Sequence, residues 1–219
     1  AIDSIYNATS GMATIVISPA ASLVVIDPID DVVYNASVEV TYTVENGTVK
    51  NIVVYDAYDD PITADIDNST AGKVIISGLN AGEYTIVIYN AGDENHTEYG
   101  GGATFNVRKA TVTIDVVPTG NFVVDGEVNI TFTVPKDYDG VVTVLVDGRE
   151  VTGFDIDENG TCTIPFTFDA GEHIVTVTLT DDTNYEALPG TTTFDIAKVG
   201  PEITISDIAG NVGETVEIA

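Results

Sequence analysis

Seven of the 14 asparagines stand two residues before a Ser or Thr with no Pro between, at Asn7, Asn35, Asn46, Asn68, Asn95, Asn129 and Asn159. That spacing is the acceptor for N-glycosylation, and the Ser and Thr content would give only roughly two or three such triplets by chance. Asn68 and Asn159 both follow Asp-Ile-Asp, Asn129 falls on an outward strand position, and Asn35, Asn46 and Asn95 fall on other loops. A second pattern, Asp155-x-Asp157-x-Asn159-Gly160, spells the first half of a calcium loop, but its twelfth position is Phe166 instead of a bidentate Glu. An EF-hand is excluded. Asp155, Asp157 and Asn159 remain weak calcium candidates, with Asp27, Asp30 and Asp31 or Asp56, Asp59 and Asp60 as other oxygen-rich groups, against the simpler reading of a solvated acidic surface.

Catalytic patterns are scarce. His96 lies in a loop, and His173 heads a segment in which Val175, Val177 and Leu179 face one way, so His173 reads as a core or rim residue. With two His and one Cys far apart, zinc has no ligand spacing. No nucleophile elbow, phosphate loop or Cys-His pair is present, and the chain is read as non-enzymatic. Cys162 can form no intrachain disulfide, and alternation does not settle its face. Lys109 and Lys198 recur at equivalent points and allow isopeptide crosslinks in principle; recurrence at a linker is the simpler reading.

The elements that must position these residues are strands. In 219 residues there are 31 Val, 29 Thr and 23 Ile against 5 Leu, and β-branched side chains suit a pleated sheet better than a helix. The formal net charge of −28 excludes most nucleic-acid partners and disfavours anionic membrane surfaces, since both are bound through clustered Lys and Arg. A hydrophobic content of 44% is too high for a charge-driven disordered chain. No apolar run reaches the length of a membrane span, so no direct membrane insertion is expected of this segment.

The chain repeats itself. Ala81-Gly82-Glu83 recurs as Ala170-Gly171-Glu172 and Phe105 as Phe194 at a spacing of 89, while Asp65-Ile66-Asp67 recurs as Asp155-Ile156-Asp157 at a spacing of 90. Two modules of about 90 residues are expected, at 19–108 and 109–197. Residues 1–18 align with the last strand of each module and residues 198–219 with the first strands, so they read as parts of a preceding and a following repeat. Fragments of that size bury no sheet face alone. Ile15 and Ile17 in the first, and Ile203 and Ile205 in the second, are therefore strand-exchange candidates.

Within each module short alternating segments predict a β-sandwich. The second module reads as strands near 111–117, 127–134, 141–147, 150–157, 160–168, 172–180 and 190–197, with tight hairpins expected at Asp147-Gly148 and Asn159-Gly160. Val38, Val40, Phe105, Val128, Ile130, Phe132, Val175, Val177 and Phe194 are the expected core.

The run Ala170-Gly171-Glu172-His173-Ile174-Val175-Thr176-Val177, with Asp182-Thr183-Asn184-Tyr185 and Phe194-Asp195-Ile196, resembles the final strands of bacterial Ig-like repeats. The first module echoes it, with His96 where Tyr is usual. The resemblance implies all-β, tandem Ig-like sandwiches in an extended rod, found in adhesin-like cell-surface proteins, and the acidic, Asn- and Thr-rich character is similar to those of methanogenic archaea. It supplies no catalytic residue. The expected function is an extracellular, N-glycosylated structural or adhesive module, the stalk of an adhesin. Its partners would be adjacent repeats, copies of itself, or the surface of a host or partner cell. The alternatives are a filament or pilus subunit joined by strand addition and, more weakly, a glycan-binding module using Tyr34, Tyr55, Tyr58 or Tyr99.

Overall fold

The computed structural model describes residues 11–180, 182–201 and 212–213, so Asn7, Ile203 and Ile205 lie outside the described residues. Every regular element among them is a β-strand. They divide into two compact units, one reaching Ala110 and including Thr183–Tyr185, the other comprising Thr111–Asp182 and the residues from Glu186 onward.

In the first unit Leu23–Ile26, Val38–Glu45, Lys73–Ser77 and Asp65–Asp67 form an antiparallel sheet in that order. A five-stranded sheet runs Val32–Val33, Tyr99–Arg108, Gly82–Asn90, Val49–Asp56, Pro61–Ile62, with its first pairing parallel. Alternation puts Val24, Val38, Val40, Tyr42, Val74 and Ile76 of one sheet against Val54, Ile86, Ile88, Phe105 and Val107 of the other, all buried. Each such side chain fully removed from water contributes about 1.5–3 kcal/mol. This is a β-sandwich.

The second unit repeats the architecture with Val117–Gly120, Glu127–Thr133 and Thr161–Thr167 in one sheet. The other runs Arg149–Val151, Val141–Val146, Gly171–Thr180, Gly190–Ile196. Val128, Ile130, Phe132, Cys162 and Ile164 meet Val144, Val175, Val177, Leu179 and Ile196. Cys162 opposes Phe132 in the ladder and is a core residue. Phe194 differs from expectation: it is half-buried, at the core margin, with its ring 5.2 Å from Phe168 and 5.7 Å from Phe122.

Two expected elements change. The strand predicted at 150–157 stops at Val151, and Gly153 follows with φ 79°. In the first unit Asp67 pairs with Ile75; the residue matching Ile75 in the second unit is Pro165, opposite Asn129. Proline has no N–H to offer an added strand, so Asp155-Ile156-Asp157 makes no ladder there, although Ile156 still packs on the core. The hairpin at Asp147-Gly148 has φ of 51° and 76°, as a type I′ turn requires. At Asn159-Gly160 only Gly160 has positive φ, 83°, and the turn is closed by the Gly160 amide donating to the Asp157 carbonyl at 2.9 Å. Tyr185–Leu188, which no alternation announces, pairs with Ala110–Thr113.

One glycine in the last long strand of each unit has a shared cause. A Cβ on Gly101 would lie 2.7 Å from the Val24 carbonyl oxygen, and one on Gly190 would collide with the Ile114 carbonyl. In each unit the backbone near its opening strand, at Val24 and at Ile114, crosses the last long strand too closely for any side chain. Gly101→Ala should therefore cost more than about 2 kcal/mol, read as a lowered urea midpoint for the first unit, whereas Gly148→Ala, with open space at its Cβ position, should cost less despite its positive φ.

Candidate functional site

Five of the six described acceptor asparagines, Asn35, Asn46, Asn68, Asn95 and Asn159, are exposed. Asn35 and Asn46 take positive φ, 69° and 59°, which asparagine tolerates better than most residues. The other three stand in turns organised by a preceding aspartate. Asp67 Oδ1 accepts the Ser69 amide at 2.9 Å, Asp93 Oδ1 accepts the Asn95 amide at 2.7 Å, and Asp157 Oδ1 accepts the amides of Asn159 and Thr161 at 2.9 and 2.7 Å. These bonds favour the ionised carboxyls: the Ser69 amide lowers the pKa of Asp67, and the Asn95 amide, followed by His96, lowers that of Asp93. Asn129 is the exception. It is half-buried in the middle strand of its sheet, its side-chain amide 3.5 Å from a Glu127 carboxyl oxygen.

The same turn chemistry occupies several calcium candidates. Besides Asp157, Asp56 Oδ1 accepts the amides of Tyr58 and Asp60, Asp27 accepts the Thr41 hydroxyl at 2.6 Å, and Asp31 accepts both nitrogens of Asn106. Among the described residues no three His, Cys, Asp or Glu side chains are grouped to hold a metal ion. Lys109 and Lys198 are exposed.

His173 is held through both of its ring nitrogens. Its Nδ1 lies 2.8 Å from Asp147 Oδ2 and its Nε2 lies 2.9 Å from the Asp169 carbonyl oxygen. Both neighbours are acceptors, so the protonated ring satisfies both contacts and the charged form is favoured. Desolvation acts against that charge, but the Asp147 carboxylate and the Asp169 carbonyl outweigh it and raise the His173 pKa. His173, then the Ile174 amide, lower the pKa of Asp147. Both ring nitrogens are engaged within the fold, by Asp147 and by the Asp169 carbonyl. The first unit shows what the position is for. Tyr84, the equivalent of His173, donates its hydroxyl to the Asn80 carbonyl at 3.0 Å and stacks on Phe105 at 5.7 Å, as His173 bonds Asp169 and lies 6.1 Å from Phe194. His173 is a strand-end clamp.

Of the tyrosines considered for sugar binding, Tyr34 is half-buried against the first core, Tyr58 is exposed in the turn before Pro61–Ile62, and Tyr99 is exposed at the start of its strand. Tyr55 is half-buried, and its hydroxyl lies 3.4 Å from that of Tyr89, a residue the sequence did not single out. This hydrogen bond, with some desolvation, raises the Tyr55 pKa. Burial, with a contribution from Asp155, raises that of Cys162.

No family model matches the chain, and no curated protein matches it. Among solved structures it is similar to the fibronectin(III)-like modules of Clostridium thermocellum CbhA, at 21% identity over 85% of this chain and 100% of that one, with a TM-score of 0.34. It is also similar to bovine butyrophilin, at 12% identity over 78% of this chain and 95% of that one, with a TM-score of 0.33. The sandwich assignment rests on the sheets themselves.

The His173–Asp147 pair makes stability depend on pH from both sides. His173, raised above 6.5, contributes fully below that value and loses its contribution as pH rises through its folded pKa. Asp147, lowered below 3.8, contributes above that value and loses its contribution as pH falls through its folded pKa. His173→Tyr, which installs the first unit's residue, should remove the alkaline loss; because the pair is partly exposed the difference should be about 1 kcal/mol or less. Urea titrations from pH 4 to 9 check this, and identical alkaline slopes in both proteins would contradict it.

Proposed function

We propose that the chain is a non-catalytic structural segment of an extracellular cell-surface protein, built of tandem sandwich modules that carry N-linked sugars and serve as the stalk of an adhesin. The observation that carries this reading is the placement of the acceptors. Five of the six described are exposed, at turns or turn-like bends outside both cores, where a sugar can be attached without disturbing a ladder. The only histidine paired through both nitrogens is used as a clamp among the described residues, and the one cysteine is buried. A surface of strong negative charge with sugars around it resists sticking to neighbours, as a spacer between a cell and a distal binding element must. Adjacent repeats and the surface of a partner cell are the contacts that fit.

A second reading, a filament subunit joined by strand addition, is favoured by one observation. Ile15, Val16 and Ile17 are 84%, 81% and 89% exposed and belong to no strand, yet Ala13-Thr14-Ile15-Val16-Ile17 repeats the pattern of Ala103-Thr104-Phe105-Asn106-Val107, where Phe105 and Val107 are buried. Such a segment suits the edge of another sheet.

Mass spectrometry of glycopeptides from the native protein tests the first reading: sugars are expected at Asn35, Asn46, Asn68, Asn95 and Asn159, with lower occupancy at Asn129, and bare asparagines throughout would contradict it. Sedimentation tests the second: concentration-dependent fibres should form and should vanish on Ile15→Asp with Ile17→Asp, while a wild-type protein that stays monomeric at high concentration excludes it.

A further inference from the structure

The two units share a core pattern but differ on the outward face of the sheet that contains Gly82–Asn90 in one and Gly171–Thr180 in the other. In the first unit Tyr89 faces Gly100, Val87 faces Gly102, and Thr85 faces both Tyr55 and Thr104 across the ladders. A Cβ on Gly100 would lie 3.2 Å from both Cδ1 and Cε1 of Tyr89 and 3.5 Å from Val87 Cγ1, so the tyrosine ring lies down across the glycine instead of standing off the sheet. Tyr55 meets it hydroxyl to hydroxyl at 3.4 Å. At the end beyond Tyr89, Lys50 and Glu98 reach over the middle strand to form an ion pair of 2.8 Å. In the second unit the matching positions are Thr176, Thr178 and Thr191, with the Thr176 and Thr191 hydroxyls 3.4 Å apart. Ile174, paired with Thr193, stands where the first unit has Thr85, and the sheet forms with no tyrosine on that strand face. Ladder stability therefore does not demand the tyrosine and glycine arrangement of the first.

We propose that this face of the first unit, centred on Tyr55 and Tyr89 over Gly100 and Gly102, binds a neutral polysaccharide chain. A ring lying flat offers one apolar face to the C–H side of a sugar, and its hydroxyl gives and accepts a hydrogen bond at the rim. The Lys50–Glu98 pair adds donors and acceptors with no net charge. A polyanion would be repelled by a chain of net charge −28. The two tyrosines follow the middle strand and its neighbour, a track along the sheet that a linear sugar chain can follow. This inference is independent of the glycosylated-stalk reading, since carrying sugars and binding them use different residues.

Native affinity electrophoresis of the full chain in gels containing galactomannan, hydroxyethylcellulose or β-1,3-glucan tests it, with polygalacturonate as the anionic control. Retardation by at least one neutral polymer is expected, at least tenfold weaker for Tyr89→Thr and weakened for Tyr55→Phe, with the melting temperature of Tyr55→Phe kept near wild type as the check on folding. Three results would overturn the proposal: no retardation by any neutral polymer, equal retardation of wild type and Tyr89→Thr, or self-association in polymer-free gels that Tyr89→Thr abolishes, which would make a second copy the occupant.

Discussion

Val38, Val40, Val74 and Ile76 face Val54, Ile86, Ile88 and Phe105 across a space that excludes water, and the rest of the first unit is arranged to keep them there. A strand with alternate apolar positions can hide only one face, so a second sheet is obligatory, and the connections between sheets must return at the right register. The second unit solves the same problem with Val128, Ile130 and Phe132 against Val144, Val175 and Val177. Because the inward positions are fully committed to packing, chemistry is confined to outward strand positions and turns. That is where the acceptor asparagines, the tyrosine pair and most carboxylates lie.

The carboxylates explain how so acidic a chain can be compact. Self-repulsion of a net charge of −28 opposes folding, yet many aspartates are not merely solvated. Asp56, Asp67, Asp93 and Asp157 each accept backbone amides that their turns would otherwise leave to water, and Asp147 does so while holding His173. Asparagine and glycine follow such aspartates because the turns need tight or left-handed backbone, so the residues that suit the turns also create acceptor triplets. The acidic composition and the acceptor triplets thus share a structural origin in the turns.

Alternation made Val38 to Val44 and Val128 to Val134 legible as strands with one buried face, and Asp147-Gly148 as a type I′ hairpin, because both signals are local. What stayed hidden depends on partners distant in sequence. Pro165 removes a ladder that Ile75 supports, and only its register opposite Asn129, as Ile75 stands opposite Glu39, shows the equivalence. Cys162 lies between two threonines, and its face follows from pairing with Phe132. His173 aligns with Tyr84 in sequence, but its clamp contacts depend on Asp147 and Asp169, which stand on either side of the ring. Nothing local marks Tyr89, because its setting comes from Gly100 on the neighbouring strand.

The proposed role, a spacer outside the cell, draws on two sandwich units whose exposed turns carry five acceptor asparagines. That role depends on location, since acceptor turns can carry sugars only beyond the membrane. Immunogold electron microscopy on intact cells that make the protein, with antibodies against the two units, is the most direct test. Gold particles outside the envelope without permeabilisation are the predicted result. Labelling that appears only after the cells are opened would contradict the account.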